Sequence, residues 1–240
     1  MKTNQNALLF SVLALCSALI LASCGGAKDI DKISDAQSCL DNATAAEAAN
    51  CVEMVNGIES QGAYLIRCVG KFVKEGYTSP SKIADALSEI NAGSGATAST
   101  SMIAALAFTA ESTTTLNYES SEQALTYCTT AQSKGLIFLA GLAQTASVIN
   151  YLAGSVLSGA DLQTNMATFA SDPIAQAAVG TAVVAMYASN CSTGQSTAGS
   201  YCDQFSSAID TAGGTSNTSA IGLQAMTCYS NPAAAGCTGY

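Results

Sequence analysis

The sequence contains no histidine, and only 10% of its residues are charged. Without histidine there is no Ser-His-Asp or Cys-His nucleophile system, no imidazole general base and no histidine axial ligand for haem. No Cys-x-x-Cys occurs either, so the ligand spacing of a structural zinc site is missing together with its imidazoles. No glycine-rich phosphate loop follows a strand pattern. A formal net charge of −9 repels a phosphate backbone, so nucleic acid is not an expected partner. Carboxylates remain available for proton transfer. However, Glu47, Glu53, Glu59, Asp85 and Glu89 fall at surface-like spacing on helical stretches, where a solvated face explains them better than a catalytic dyad. The chain reads as a non-enzyme with no metal and no resident cofactor.

Charge is also lacking in one half of the chain. Every basic residue after Lys2 lies between Lys28 and Lys134, and beyond that only Asp161, Asp172, Asp203 and Asp210 are charged. A soluble domain averages about a quarter charged residues. The later half therefore has little with which to hold water. It is expected to bury itself in its own core, in further copies of itself, or in lipid.

What is present begins with a secretory signal. Lys2 supplies a short positive region, and "ALLFSVLALCSALILASC" then runs apolar from Ala7 to Cys24. That length suits a signal core and falls short of a full membrane span. The expected organisation is a signal at 1–23, a tether at 24–35 and one helical domain at 36–240. The domain divides into more polar helices (36–134), apolar Gly/Ala/Ser-rich helices (135–190) and a disulfide-stapled end (191–240).

Cysteine usage agrees with export. Ten cysteines occur. Cys16 lies within the signal and Cys24 ends it, which leaves Cys39, Cys51, Cys68, Cys128, Cys191, Cys202, Cys228 and Cys237. An even set in an exported chain points to up to four disulfides. Spacing leaves the pairing open. Cys191–Cys202 and Cys228–Cys237 offer the shortest loops, and the first four would tie early helices together.

The fold class expected is all-α, a disulfide-stapled bundle of about eight helices. Thr44-Ala45-Ala46-Glu47 reads as a capping box opening a helix to about Asn56. A second helix is expected from Ser60 to Glu75, stopping at Gly76. Ser79-Pro80 starts a third, with proline in the first turn, ending near Gly93. Residues 96–110 form a fourth. Ser120-Ser121-Glu122-Gln123 opens a fifth, Asp161 a short one, and Ser171-Asp172-Pro173 another apolar helix. Two more are expected at about 199–212 and 218–228, separated by "GGTSNTS". No fixed repeat period is present.

The run "GLIFLAGLAQTASVINYLAGSVLSGA", Gly135 to Ala160, carries no charge at all. At about 100° per residue, Phe138, Leu142, Ile149, Leu152 and Val156 share one large apolar face. Gln144, Ser147, Gly154, Ser155 and Ser158 gather on the other. Three solvents fit this pattern. The large face packs into the protein's own core, or the segment spans a bilayer, or the small face packs on neighbouring helices while the large one meets acyl chains.

Leu21-Ala22-Ser23-Cys24 resembles the lipobox of bacterial lipoproteins, with Ser23 standing where Gly or Ala is commoner. That resemblance implies cleavage before Cys24 and its modification with acyl chains such as palmitate. Gly25, standing where a retention Asp would sit, implies an outer-membrane destination. With its lipobox, acidic helical body, cysteine set and uncharged Gly/Ala/Ser-rich helices, the mature chain is similar to the PopA-type porin-like outer-membrane proteins of predatory bacteria. The likeness is one of general character. It implies a homo-oligomeric α-helical ring that encloses membrane lipid, with Phe138, Leu142, Ile149, Leu152 and Val156 as the lipid-facing residues. The competing reading is a monomeric helical surface or periplasmic lipoprotein that acts as a binding or interaction module.

Overall fold

The computed structural model describes residues 24–78, 96–191, 200–237 and 240. The signal segment and the helix expected from Ser79-Pro80 to Gly93 lie outside the described residues. Within them the chain is all-helical, with ten helices and no strand.

The first helix, α1 (Cys24–Asn42), takes in the segment expected to be a tether. Ile33, Ala36 and Leu40 recur at three- and four-residue spacing, so one face can be buried, and Ala36 and Leu40 are buried. Next comes α2 (Ala48–Glu53). Thr44 donates both its backbone N–H (2.9 Å) and its hydroxyl (2.8 Å) to the Glu47 carboxylate, which is half of the expected capping box. Helix α3 (Gln61–Lys74) starts where Ser60 Oγ accepts from the Ala63 N–H at 3.3 Å. Helix α4 spans Ala96–Ala105, five residues shorter than expected at its C-terminal end.

Helix α5 (Thr114–Thr130) begins a turn and a half before the expected Ser120. Its cap is Thr113, whose Oγ1 accepts from the Leu116 N–H at 3.2 Å. Ser120 and Ser121 instead lie buried within the helix, and the Ser121 hydroxyl donates to the Tyr118 carbonyl at 2.6 Å. Small serines facing a core imitate a cap in sequence.

Helix α6 (Lys134–Ala153) is the first part of the uncharged run. It stops at Gly154, whose φ of +69° is left-handed, so the helix does not continue to Ala160. Asn150 Oδ1 accepts from the Leu157 N–H at 3.1 Å and pins the departing chain. Helix α7 (Gly159–Phe169) is capped by Ser158, not by Asp161. The Ser158 hydroxyl accepts from the Asp161 N–H (3.4 Å) and donates to its carboxylate (2.7 Å). Asp172 caps α8 (Pro173–Asn190), accepting from the N–H groups of Ile174 (2.8 Å) and Ala175 (3.2 Å). Helices α9 (Ser200–Thr211) and α10 (Thr218–Ser230) end the bundle.

All eight cysteines beyond Cys24 pair. Cys39–Cys51 joins α1 to α2, and Cys68–Cys128 joins α3 to α5. Cys191–Cys202 ties the end of α8 to α9, and Cys228–Cys237 ties α10 to the tail. The last two are the short-loop staples expected from spacing.

Two apolar clusters organise the packing. A small one, including Leu40, Val55, Ile58, Ile66 and Val73, joins α1, α2 and α3. The large one is built around α6, with α5 and α8 against it and α10 against α8. Residues 141–150 are buried without exception, so the middle of α6 is covered on every side. Its polar groups turn inward too. Ser147 Oγ accepts from the Phe108 N–H at 3.1 Å, and the Thr145 hydroxyl donates to the Gly141 carbonyl at 2.9 Å.

Candidate functional site

The five residues expected to form a lipid-facing surface do not share one. Leu142 and Ile149 are 1% and 0% exposed in the protein's own core. Phe138 is half-buried, with its ring against Tyr201 (5.4 Å) and Phe205 (6.4 Å). Leu152 is half-buried near the end of α6, and Val156 lies beyond Gly154 and is 58% exposed. The projection assumed one helix with one open side. Instead the helix ends early, and α5 and α8 cover it. By length and composition α6 is long and apolar enough to cross a membrane, a test that a long core helix of a soluble protein also passes, and 67% of its most apolar window is buried inside the bundle. Nor does Gly154 sit at a helix–helix contact, since a Cβ there would meet nothing within 4 Å.

Cys24 is the first residue of α1. Of the acids considered for catalysis, Glu47 closes a cap, while Glu53 and Glu59 are exposed. Asp85 and Glu89 lie outside the described residues.

The feature with the most distinctive chemistry is a cleft of about 340 Å³ where α2, α3 and α5 meet. Arg67, Lys71 and Lys74 project into it from α3, three of the eight basic residues in the whole sequence. They sit four and three residues apart, which puts them on one side of the helix. Gly70 stands between them. A side chain there would run into Val52, so glycine lets α2 close the cleft floor. Glu53 on α2 and Gln123 and Tyr127 on α5 complete the wall. Cys68–Cys128 locks α3 to α5, and Cys39–Cys51 locks α2 to α1. The walls are therefore held covalently.

Each cation has a different state. Arg67 donates through Nη2 to the carbonyls of Val55 (3.0 Å) and Ile58 (2.9 Å), with Glu59 3.9 Å away. Lys74 is paired with Glu111. Lys71 donates to Ser120 Oγ (3.2 Å) and Gln123 Oε1 (2.7 Å), both neutral, and has no ion-pair partner among the described residues. Burial holds its ammonium below the usual lysine value, and the neighbouring Lys74 charge pushes it further down. Glu111 and Glu75 pull weakly the other way. The sequence signal for this cluster was the confinement of basic residues to the first half of the chain. Their convergence with Gln123 and Tyr127 depends on a disulfide joining residues 60 apart.

A second cleft of about 430 Å³ lies between α5, α6 and α8. Threonines 126, 129, 130 and 181 and several alanines line it, with Tyr118 and Glu122 at the wall. Gln144, 3% exposed, also lines it, and its Oε1 has no hydrogen-bond partner among the described residues. Among the described residues no group of three or more acidic or cysteine side chains is placed to hold a metal ion. No protein-family model, no curated protein and no solved structure matches the chain.

Proposed function

We propose that the protein is an exported, lipid-anchored binding module, a monomeric helical bundle held at the outer membrane by acyl chains on Cys24. The observation that carries this reading is the burial of Leu142 and Ile149 inside a single copy of the chain. A bundle that covers its most apolar helix by itself needs neither lipid nor further copies to do so. Four disulfides fit the oxidising surroundings of an exported domain. Two or more acyl chains hold such a body firmly, because each buried methylene contributes roughly 0.8 kcal/mol. The role is binding, without catalysis.

A lipid-enclosing homo-oligomeric ring is the second reading, favoured by the scarcity of charge after Lys134 and by Leu139, Val156, Ile174 and Leu223 on the surface, 37–58% exposed. In that reading acyl chains sit on those four residues, not on Leu142 and Ile149.

The anchor is tested by labelling with radioactive palmitate. The wild type takes up label, and Cys24→Ser accumulates as an uncleaved, unlabelled precursor. Normal membrane fractionation of an unlabelled wild type overturns the anchor.

A further inference from the structure

We propose that the cleft between α2, α3 and α5 is a binding site for a phosphate group, with Lys71 as its principal contact and Arg67 and Lys74 flanking it. The inference rests on the binding-module reading and gives that module a ligand class.

A half-buried ammonium is costly unless a counter-charge accompanies it. Lys71 is half-buried, and among the described residues its partners are only the neutral Ser120 and Gln123 oxygens, although an ammonium has three donors to place. Arg67 commits its Nη2 to two carbonyls and lays its guanidinium over the Tyr64 ring, 4.9 Å from the centroid, so it flanks the cleft as a fixed charge. Lys74 gives one bond to Glu111.

The opposing charges are few. Among the described residues Glu53 is the one carboxylate lining the cleft, and it is exposed. Glu59 lies 3.9 Å from Arg67 but is mostly solvated and also accepts from the Tyr64 hydroxyl. Glu75 is turned away, accepting from the N–H groups of Thr109 (2.7 Å) and Ala110 (3.1 Å). The lining holds three cations and one carboxylate; with Lys74 paired to Glu111 and Arg67 facing Glu59, Lys71 carries the charge that no ion pair among the described residues answers. A carboxylate ligand brings a single charge. A phosphate monoester brings close to two, with three strong acceptor oxygens, and so matches the converging donors better. About 340 Å³ is roomier than a bare phosphate needs, and the Tyr127 ring offers a wall for an organic portion.

The source of the phosphate is either a soluble molecule or a lipid headgroup, and titration separates them. The acylated protein in a non-ionic detergent is titrated with inorganic phosphate, and separately with phosphatidic acid, a lipid phosphate monoester, doped into the same micelles. Saturable binding that weakens with salt is expected in at least one arm, and the arm that responds names the source. Lys71→Met should weaken that binding about tenfold, equivalent to about 1.4 kcal/mol. Glu53→Gln, at an exposed position, should tighten it severalfold by removing the repelling charge, and it controls for folding. No saturable binding in either arm overturns the proposal. So does a Glu53→Gln protein that binds no better than the wild type. Oligomer mass does not enter this test, so failure here leaves the tethered-monomer reading standing.

Discussion

Gly180 on α8 and Gly222 on α10 each face the other helix's backbone. A Cβ on Gly180 would strike the Thr218 carbonyl, and one on Gly222 would strike the Gln176 carbonyl. The two helices approach as closely as they do because neither has a side chain there. Backbone yields less readily than a side chain, so Gly180→Ala or Gly222→Ala is expected to cost about 3 kcal/mol or more, the upper end of overpacking effects. Gly154→Ala meets open space and costs about 1 kcal/mol, from its left-handed backbone alone. Denaturant midpoints of the three variants check the order.

A second expectation concerns α6. Leu142→Asp and Ile149→Asp each bury an unpaired carboxylate in the main core, costing several kcal/mol and unfolding the domain. Val156→Asp, exposed beyond the helix, should stay within about 0.5 kcal/mol of wild type. Circular dichroism with thermal melts separates these outcomes. Folded Leu142→Asp protein would mean that α6 faces something other than its own core.

The disulfides differ in reach. Cys68–Cys128 closes a separation of 60 residues, while the other three close 9 to 12. On loop entropy, removing Cys68–Cys128 costs about 4 kcal/mol, and removing either C-terminal staple costs about 2.5–3 kcal/mol. The oxidised mature protein should show no thiol under denaturing conditions. Thiol titration and unfolding of the paired Cys→Ala variants read both.

Alkaline pH should unfold the protein. Burial raises the hydroxyl pKa values of Tyr77, Tyr118, Tyr201, Tyr229 and Tyr240, with help from Glu75 at Tyr77 and from Glu122 at Tyr118. A raised folded value means the native state keeps protons that the unfolded chain releases above the ordinary tyrosine value of 10. Their contribution is therefore intact below pH 10 and is lost as pH climbs through the folded values. Lys71, lowered in the fold, acts in the opposite direction but is a single group. With no histidine, no comparable transition is expected near neutrality. Tyrosinate absorbance should rise together with loss of helicity above pH 10.

Local features were legible in the sequence where the cause is local. The caps at Ser60 and Asp172 and the two short disulfide loops follow from neighbours in the chain. Tertiary placement was not. The large apolar face of α6 looks the same whether α8 or lipid covers it, and only the fold brings α8 there. Ser120 and Ser121 read as a cap because composition does not distinguish a serine facing a core from one ending a helix. Residues 24–35 carry no capping or periodic signal that marks them off as helix, yet the helix runs unbroken from Cys24 to Asn42, and its later turns set Ala36 and Leu40 against α2 and α3. The basic cleft depends on joining residues 67–74 to residues 123–127, and no periodicity carries that information.

The most direct test of the tethered-monomer account is the native mass of the chain from Gly25 onward, exported behind an ordinary cleavable signal and purified without detergent. The account predicts a soluble, fully oxidised monomer free of phospholipid. A ring of several copies that needs detergent and carries phospholipid would contradict it.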